Sequence, residues 1–171
     1  MKPLETFDIN ILWTRHQPKQ SRSTIIKAGI GGFIAIASLV ILASLTDNIF
    51  LMAPFGATCV LLFSVPQSPL SQPINVFGGH FVSTLIGLLV NMVLPMEWWS
   101  LGLAVGIAIF VMALFRVTHP PAGADPLVVF FESPGFEYLI LPVAFGSLVL
   151  IVVAWIFHAI PPRVVYPLPK D

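Results

Sequence analysis

Charged side chains are scarce in this chain. Asp, Glu, Lys and Arg make up 9% of its 171 residues, against about a quarter in soluble domains. That is too few to cover the surface of a water-soluble fold of this size, and a disordered polar chain fails for the same reason. Eight basic residues balance eight acidic ones, so no net charge draws the chain to nucleic acid or to an acidic substrate. Cysteine is nearly absent. Cys59 stands alone, which excludes an intrachain disulfide. Inside an apolar run it reads as a small hydrophobe rather than a redox group. There is no H-E-x-x-H, no Walker loop and no nucleophile elbow. The four histidines are too dispersed to suggest a metal site. Nothing points to an enzyme, and no cofactor or metal is expected.

What is abundant is apolar surface. Hydrophobic residues are 57% of the chain and the mean hydropathy is +0.93. This composition predicts an integral membrane protein, with the lipid bilayer as its main partner. Four segments approach the roughly 20 residues that a helix needs to cross: about 27–45, 74–94, 99–115 and 138–160. Pro142 falls in the first turn of the last one, where its missing N–H costs little. Residues 1–24 hold Glu5 and Asp8, which argues against a secretory signal or a transit peptide. The organisation expected is an N-terminal segment 1–24, one transmembrane domain 25–162 and a tail 163–171. Lys2, Arg15, Lys19, Arg22 and Lys27 precede or open the first span, and Arg163 and Lys170 follow the last. The positive-inside rule then places both termini in the cytoplasm. Trp98, Trp99 and Tyr166 read as interface anchors.

Two shorter apolar segments, 51–65 and 118–131, are broken by Pro and Gly and cannot span as straight helices. They are related. At an offset of 67 residues Pro54-Phe55-Gly56-Ala57-Thr58 overlies Pro121-Ala122-Gly123-Ala124-Asp125, each followed by an apolar run ending at Phe63 or Phe130. The same offset lays the first long span on the third, the second on the fourth, and Gly79 on Gly146. The expected fold is an all-α integral membrane protein of two repeats, with halves about 25–94 and 95–162. Each repeat is a long helix, a broken short helix and a long helix: four full spans plus two discontinuous segments. Six extended residues reach about 20 Å and six helical ones about 9 Å. Together they just cover a hydrocarbon core of about 30 Å, so each broken segment either crosses or re-enters. Six crossings put Arg116 in the cytoplasm, as the positive-inside rule prefers, and make the halves an inverted repeat.

Broken segments at matching positions of two halves are the best sequence pointer to a transport site. Asp125 reads as the N-cap of a short helix over 126–131, because a residue before Pro leaves the α region and Pro favours the first helical position; Thr58 is its equivalent in the other half, before a short helix over 59–65. The Gly-containing stretches before them would be extended. Their free N–H groups and the two helix N-termini would suit a small anion; the alternative is two loops that only seal against each other. His119 and His80 would bind the anion or relay protons, or sit neutral against a carbonyl. Asp125 would repel an anion unless it caps N–H groups or pairs, and a structural ion pair of Arg116 with Asp125 is expected. A cation or proton path would use Asp125 directly. His16 and His158 are expected to take no part, His158 reaching the interface.

The string Thr118-His119-Pro120-Pro121-Ala122-Gly123-Ala124 resembles the signature of the HPP family of integral membrane proteins. Pro54 through Phe63, with Pro73, Asn75 and Gly78-Gly79-His80, resembles that family's other marked region. The likeness runs over about 27–160. It implies a small bundle, usually described as four spanning helices. Some cyanobacterial and plastid members are nitrite transporters, so it also implies nitrite as the first candidate substrate. Without a transit peptide, the closer match is a bacterial plasma-membrane member. The pathway residues expected are Gly56, Ala57, Thr58, Asn75, His80, Thr118, His119, Pro120, Pro121, Gly123, Ala124 and Asp125. The function expected is a transporter or channel for a small monovalent anion, working as a homo-oligomer packed through small-residue faces such as that of Gly102 and Gly106. The alternative is a non-transporting membrane sensor or assembly module.

Overall fold

The computed structural model describes residues 9–170; Lys2, Glu5 and Asp8 lie outside them. Six α-helices follow in order: α1 Arg22–Thr46, α2 Pro54–Ser64, α3 Pro73–Val93, α4 Trp98–Leu114, α5 Asp125–Glu132 and α6 Phe145–Ala159. Short 3-10 turns occupy Ile9–Trp13, Pro69–Ser71, Pro120–Ala124 and Phe136–Leu139, and a π turn, Ile140–Ala144, leads into α6. No strand occurs among the described residues. Local chemistry accounts for the boundaries. The Ser21 hydroxyl accepts from the Thr24 N–H at 3.2 Å and caps α1. Proline opens α2 and α3, where its missing N–H is no loss. Glu97 and Ser100 form a reciprocal capping box at the start of α4.

The long segments lie close to where composition puts them. Arg22–Thr46, Pro73–Val93 and Phe136–Ala159 are long and apolar enough to cross a membrane. The 17 residues of α4 extend about 25 Å at 1.5 Å per residue. The last stretch is not the smooth helix expected. Leu141 leaves the helical region (φ −128, ψ 120), because the ring of Pro142 clashes with an α-helical residue before it. Outer faces are apolar: Phe33 and Leu45 of α1, Phe110 of α4 and Trp155 of α6 are all exposed. In a membrane protein these faces meet lipid.

The broken segments depart from expectation. The chain is already helical at Ala53 (φ −54, ψ −40) and α2 begins at Pro54, so Gly56, Ala57 and Thr58 lie inside a helix. Thr58 is not an N-cap. Asp125 is itself α-helical (φ −60, ψ −42) and makes no capping bond; the cap position falls to Ala124. The preference of a pre-proline residue for extended backbone is overridden here by the contacts of the Asp125 side chain. Residues 120–124 form a tight turn rather than an extended strand.

α1 packs on α2 and α6, while α3 packs on α4, α5 and α6. The largest core cluster joins Leu39 of α1, Phe55 and Leu62 of α2, Val76 of α3 and Leu150 of α6. Two glycines 67 positions apart in the chain make matching contacts. A Cβ added at Gly79 would lie 3.0 Å from the carbonyl oxygen of Val117, and one added at Gly146 would lie 2.7 Å from that of Phe50. Gly79 and Gly146 are repeat equivalents, and so are Phe50 and Val117. Each half thus offers a glycine to the backbone that leads into the other half's short helix. At one end of the bundle the loop between α2 and α3 gathers both flanks of the chain. Gln20 Nε2 donates to the Ser64 carbonyl at 3.2 Å, and the Leu168 N–H donates to Gln72 Oε1 at 2.9 Å.

Gly79→Ala and Gly146→Ala place a methyl group against rigid backbone and should each cost about 1–3 kcal/mol. Gly56→Ala meets nothing within 4 Å and should not destabilise. Melting in detergent checks this: the first two variants melt below the wild type, the third does not.

Candidate functional site

The site begins with helix periodicity. Along α3 the buried positions are Val76, Gly79, His80, Ser83, Thr84, Gly87 and Leu88, the i, i+3, i+4, i+7 stripe of one helix face. The polar residues of that stripe point at the second broken segment. Ser83 Oγ donates to the Ala122 carbonyl at 2.6 Å, and Thr84 Oγ1 donates to Asp125 Oδ2 at 3.2 Å. His80 Nδ1 lies 2.8 Å from the same Oδ2. Gly87 lets α5 approach, since a Cβ there would sit 2.9 Å from Pro126 Cα.

Along α2 the buried positions Phe55, Thr58, Cys59 and Leu62 form a second stripe that faces α3. It brings Thr58 Oγ1 to 2.7 Å from His80 Nε2 and 3.0 Å from His119 Nε2. His119 Nδ1 donates to the Leu70 carbonyl at 2.8 Å. Gly79 is what admits the His119 side chain, which a Cβ at that position would strike. Phe55 stands edge-on to the His80 ring, with centroids 5.1 Å apart. The result is one continuous hydrogen-bonded chain: Leu70 carbonyl, His119, Thr58, His80, Asp125, Thr84. Thr58, His80 and His119 are wholly buried and Asp125 is 1% exposed. Asp125 Oδ1 is buried without a partner.

Electrostatically the site is a carboxyl group answered by an imidazole. Asp125 pairs with His80. The expected Arg116–Asp125 ion pair is not formed. Arg116 is exposed, at φ 60, beyond the end of α4, while Asp125 is enclosed by α3. The expected cradle of free N–H groups is also not formed. Gly56 N–H donates to the Ala53 carbonyl at 3.2 Å and Ala122 N–H to the His119 carbonyl at 3.0 Å. The Asp125 N–H goes to Ala122. Any anion in this region would meet side chains rather than bare backbone.

Of the residues expected to line a path, the fold brings Thr58, His80, His119 and Asp125 together. Asn75 acts at the entrance to the turn, its Nδ2 donating to the Thr118 carbonyl at 2.9 Å. Pro121 is buried, Gly123 and Ala124 are half-buried, and Pro120 is exposed. Gly56 and Ala57 are exposed on the outer face of α2, away from Thr58. Three participants escaped the sequence reading. Ser83 and Thr84 were detectable as polar residues three and four positions after His80. The Leu70 carbonyl carries no side-chain signal. His158 is buried, and its Nε2 donates to the Leu62 carbonyl at 2.9 Å. Tyr166 is likewise buried, with its ring 5.6 Å from that of His158.

A family model described as HPP, transmembrane region, matches residues 17–167. The chain is 36% identical over 129 residues to a transmembrane protein of Dictyostelium discoideum, a match covering 71% of this chain and 42% of that protein. A second transmembrane protein of the same organism is 31% identical over 126 residues, covering 69% of this chain and 44% of its own length. The chain thus spans less than half the length of the curated relatives it matches. No solved structure matches it.

Thr58→Val keeps the shape of the side chain but leaves two buried ring nitrogens facing a methyl group. A loss of about 1–3 kcal/mol is expected, with Thr58→Ser close to the wild type. Melting in lipid nanodiscs reads both; equal melting of the valine and serine variants would show that the hydroxyl bridge contributes nothing.

Proposed function

The chain belongs to the HPP transmembrane family, and on that premise we propose that it is a transporter or channel for a small monovalent anion, with nitrite the first candidate. The observation that carries this reading is the buried chain of His119, Thr58, His80 and Asp125 at the meeting of the two halves. Ionisable side chains inside a membrane bundle are costly and mark solute or proton pathways by default. The path runs between α2, α3 and the turn before α5. The binding groups are the Thr58 hydroxyl and the two imidazoles. Nitrite suits them: it is small, singly charged and the base of a weak acid, so it can travel with a proton supplied beside it. This reading makes the protein a carrier rather than an enzyme, with no cofactor or metal required.

The same proposal includes topology. Both termini lie on the cytoplasmic side of a plasma membrane, and six crossings make the halves an inverted repeat. Three features support it. Basic residues cluster at both ends of the chain. The loop after α2 bonds both the segment before α1 and the tail after α6, as it would if α2 crossed. The exchanged contacts of Gly79 and Gly146 are what a two-fold relation between halves produces. Gly102 and Gly106 have open space over their exposed positions, which suits packing against a second copy in a homo-oligomer.

Purified protein in liposomes should take up nitrite well above empty liposomes, and faster with the acid side outside. Nitrate, formate and chloride serve as competitors. Asp125→Ala should lower uptake at least tenfold, and His119→Ala should flatten its pH dependence. Absence of flux for every anion would leave the non-transporting sensor or assembly module as the better reading. Single cysteines placed at Gln67 and Gln72 should label only from the cytoplasmic side; labelling from outside rules out the inverted repeat.

A further inference from the structure

We propose that His80, Asp125, Thr58 and His119 together bind one exchangeable proton, held between His80 Nδ1 and Asp125 Oδ2, and that its departure breaks the Thr58 bridge between the two halves. The inference deepens the transport reading by naming the proton as an ion bound at the same site. It rests on that reading only for its place in a transport cycle.

The argument is a count of donors and acceptors. A carbonyl only accepts, so the 2.8 Å contact of His119 with Leu70 puts a hydrogen on Nδ1. An imidazolium at His119 would complete the same contacts in the reverse direction, but it holds its charge across Thr58 and the His80 ring from the Asp125 carboxylate, a separation that is costly in a buried site; His119 is therefore neutral and its Nε2 an acceptor. It faces Thr58 Oγ1 at 3.0 Å, so the single Thr58 hydrogen points to His119. The Thr58 oxygen must in turn accept from His80 Nε2, 2.7 Å away. His80 therefore carries a hydrogen on Nε2. Its Nδ1 meets Asp125 Oδ2 at 2.8 Å, and that contact needs one more proton. Either imidazolium faces carboxylate or neutral imidazole faces carboxylic acid. In both forms the quartet has no net charge and every contact along it is made.

Removing that proton leaves a carboxylate and one neutral His80. To keep its bond to Asp125 the ring must carry its hydrogen on Nδ1, so Nε2 becomes a lone pair. Thr58 then faces two lone pairs with one hydrogen, and one of its two imidazole contacts must open. The contact to His119 is the longer of the two, 3.0 Å against 2.7 Å, and it is the one that opens; His119 leads into the turn before α5 and Thr58 lies on α2, so the bridge between them is what is lost. A second excess proton is also accounted for. It would make His119 a full donor and turn the Thr58 hydrogen to the Pro54 carbonyl, 3.3 Å away, but it leaves a net charge buried among apolar groups, which is costly. The bare Asp125 Oδ1 favours the same singly protonated state, because an ionised carboxylate with one buried oxygen unanswered is costly too.

Among the described residues no other charge balances the quartet. α4 carries no titratable side chain. α2 contributes only the buried thiol of Cys59, and α3 adds the neutral Ser83 and Thr84 beside His80. Tyr138, before α6, lies within electrostatic range of Asp125 and Glu132. Glu132 and Arg116 are exposed, and His158 is engaged with Leu62. The proton balance is simple. Imidazolium–carboxylate plus a weak-acid anion, or water, gives imidazole–carboxylate plus the neutral acid, or hydronium. The anion meets a neutral site before the transfer, and a negative site holds none behind it.

The test is solid-state NMR of the full chain, labelled with nitrogen-15 histidine, in liposomes across a pH series. His119 should show the Nδ1–H tautomer with an acceptor Nε2, and His80 a hydrogen on Nε2. Raising pH should remove the His80 Nε2 hydrogen in one step, with release of one proton per chain and loss of the Thr58–His119 bond. Asp125→Asn offers a permanent amide donor to Nδ1, so it should hold His80 in the Nε2–H form and abolish the step. Thr58→Val should leave the His119 tautomer unchanged, since the Leu70 carbonyl sets it. A His119 Nε2–H tautomer at neutral pH, or an undiminished step in Asp125→Asn, would overturn the proposal. A clear step without anion flux keeps the proton site and removes the transport reading; pH-independent flux without a step does the reverse.

Discussion

A carboxyl group buried inside the bundle is the constraint around which the structure is arranged. Asp125 is all but inaccessible, and among the described residues no Lys or Arg answers it. Its compensation comes from α3, through His80 and Thr84. Those bonds require α3 and α5 to cross closely, which Gly87 permits. His80 has a second nitrogen, and satisfying it draws in Thr58 and with it α2. Thr58 in turn reaches His119, whose approach needs Gly79. One buried acid thus ties together α2, α3, α5 and the turn before α5.

Polar bonding and apolar packing divide the labour. The outer faces are apolar and interact with lipid without preference, so they fix the bundle in the membrane but not its internal register. Burial of Leu39, Phe55, Leu62 and Leu150 brings the helices together. Directional bonds then select one arrangement among many of similar apolar area. The exchanged glycine contacts do the same for the backbone. Where Gly79 and Gly146 touch the opposite half, any side chain would force the halves apart and open the hydrogen-bonded chain.

Much of the fold was legible in the sequence. Length and hydropathy locate the long helices to within a few residues, because crossing a bilayer requires a length that composition displays. The two broken segments look alike in sequence but fold differently, since α2 is already helical at Pro54 while residues 120–124 form a 3-10 turn before α5. Of the site, His80, His119, Thr58 and Asp125 stood out as polar residues in apolar runs. Their roles did not. Thr58 and Asp125 were assigned to capping from local rules that hold for isolated helix starts. Inside the bundle each is already helical, and its side chain is taken by a group some twenty to sixty positions away. An Arg116–Asp125 pair is a local expectation that the fold does not meet, because Arg116 is exposed beyond α4 while Asp125 is buried against His80 and Thr84 of α3.

By itself, then, the sequence determined the solvent, the helix set and the short list of polar residues that had to be buried. Each of these follows from composition and period, which are properties of the chain read locally. Only the tertiary structure decided which polar groups meet. Hydrogen bonding is short-ranged and directional, so a pairing such as His80 with Asp125, or His119 with the carbonyl of Leu70, exists only once helices distant in sequence have been packed against one another.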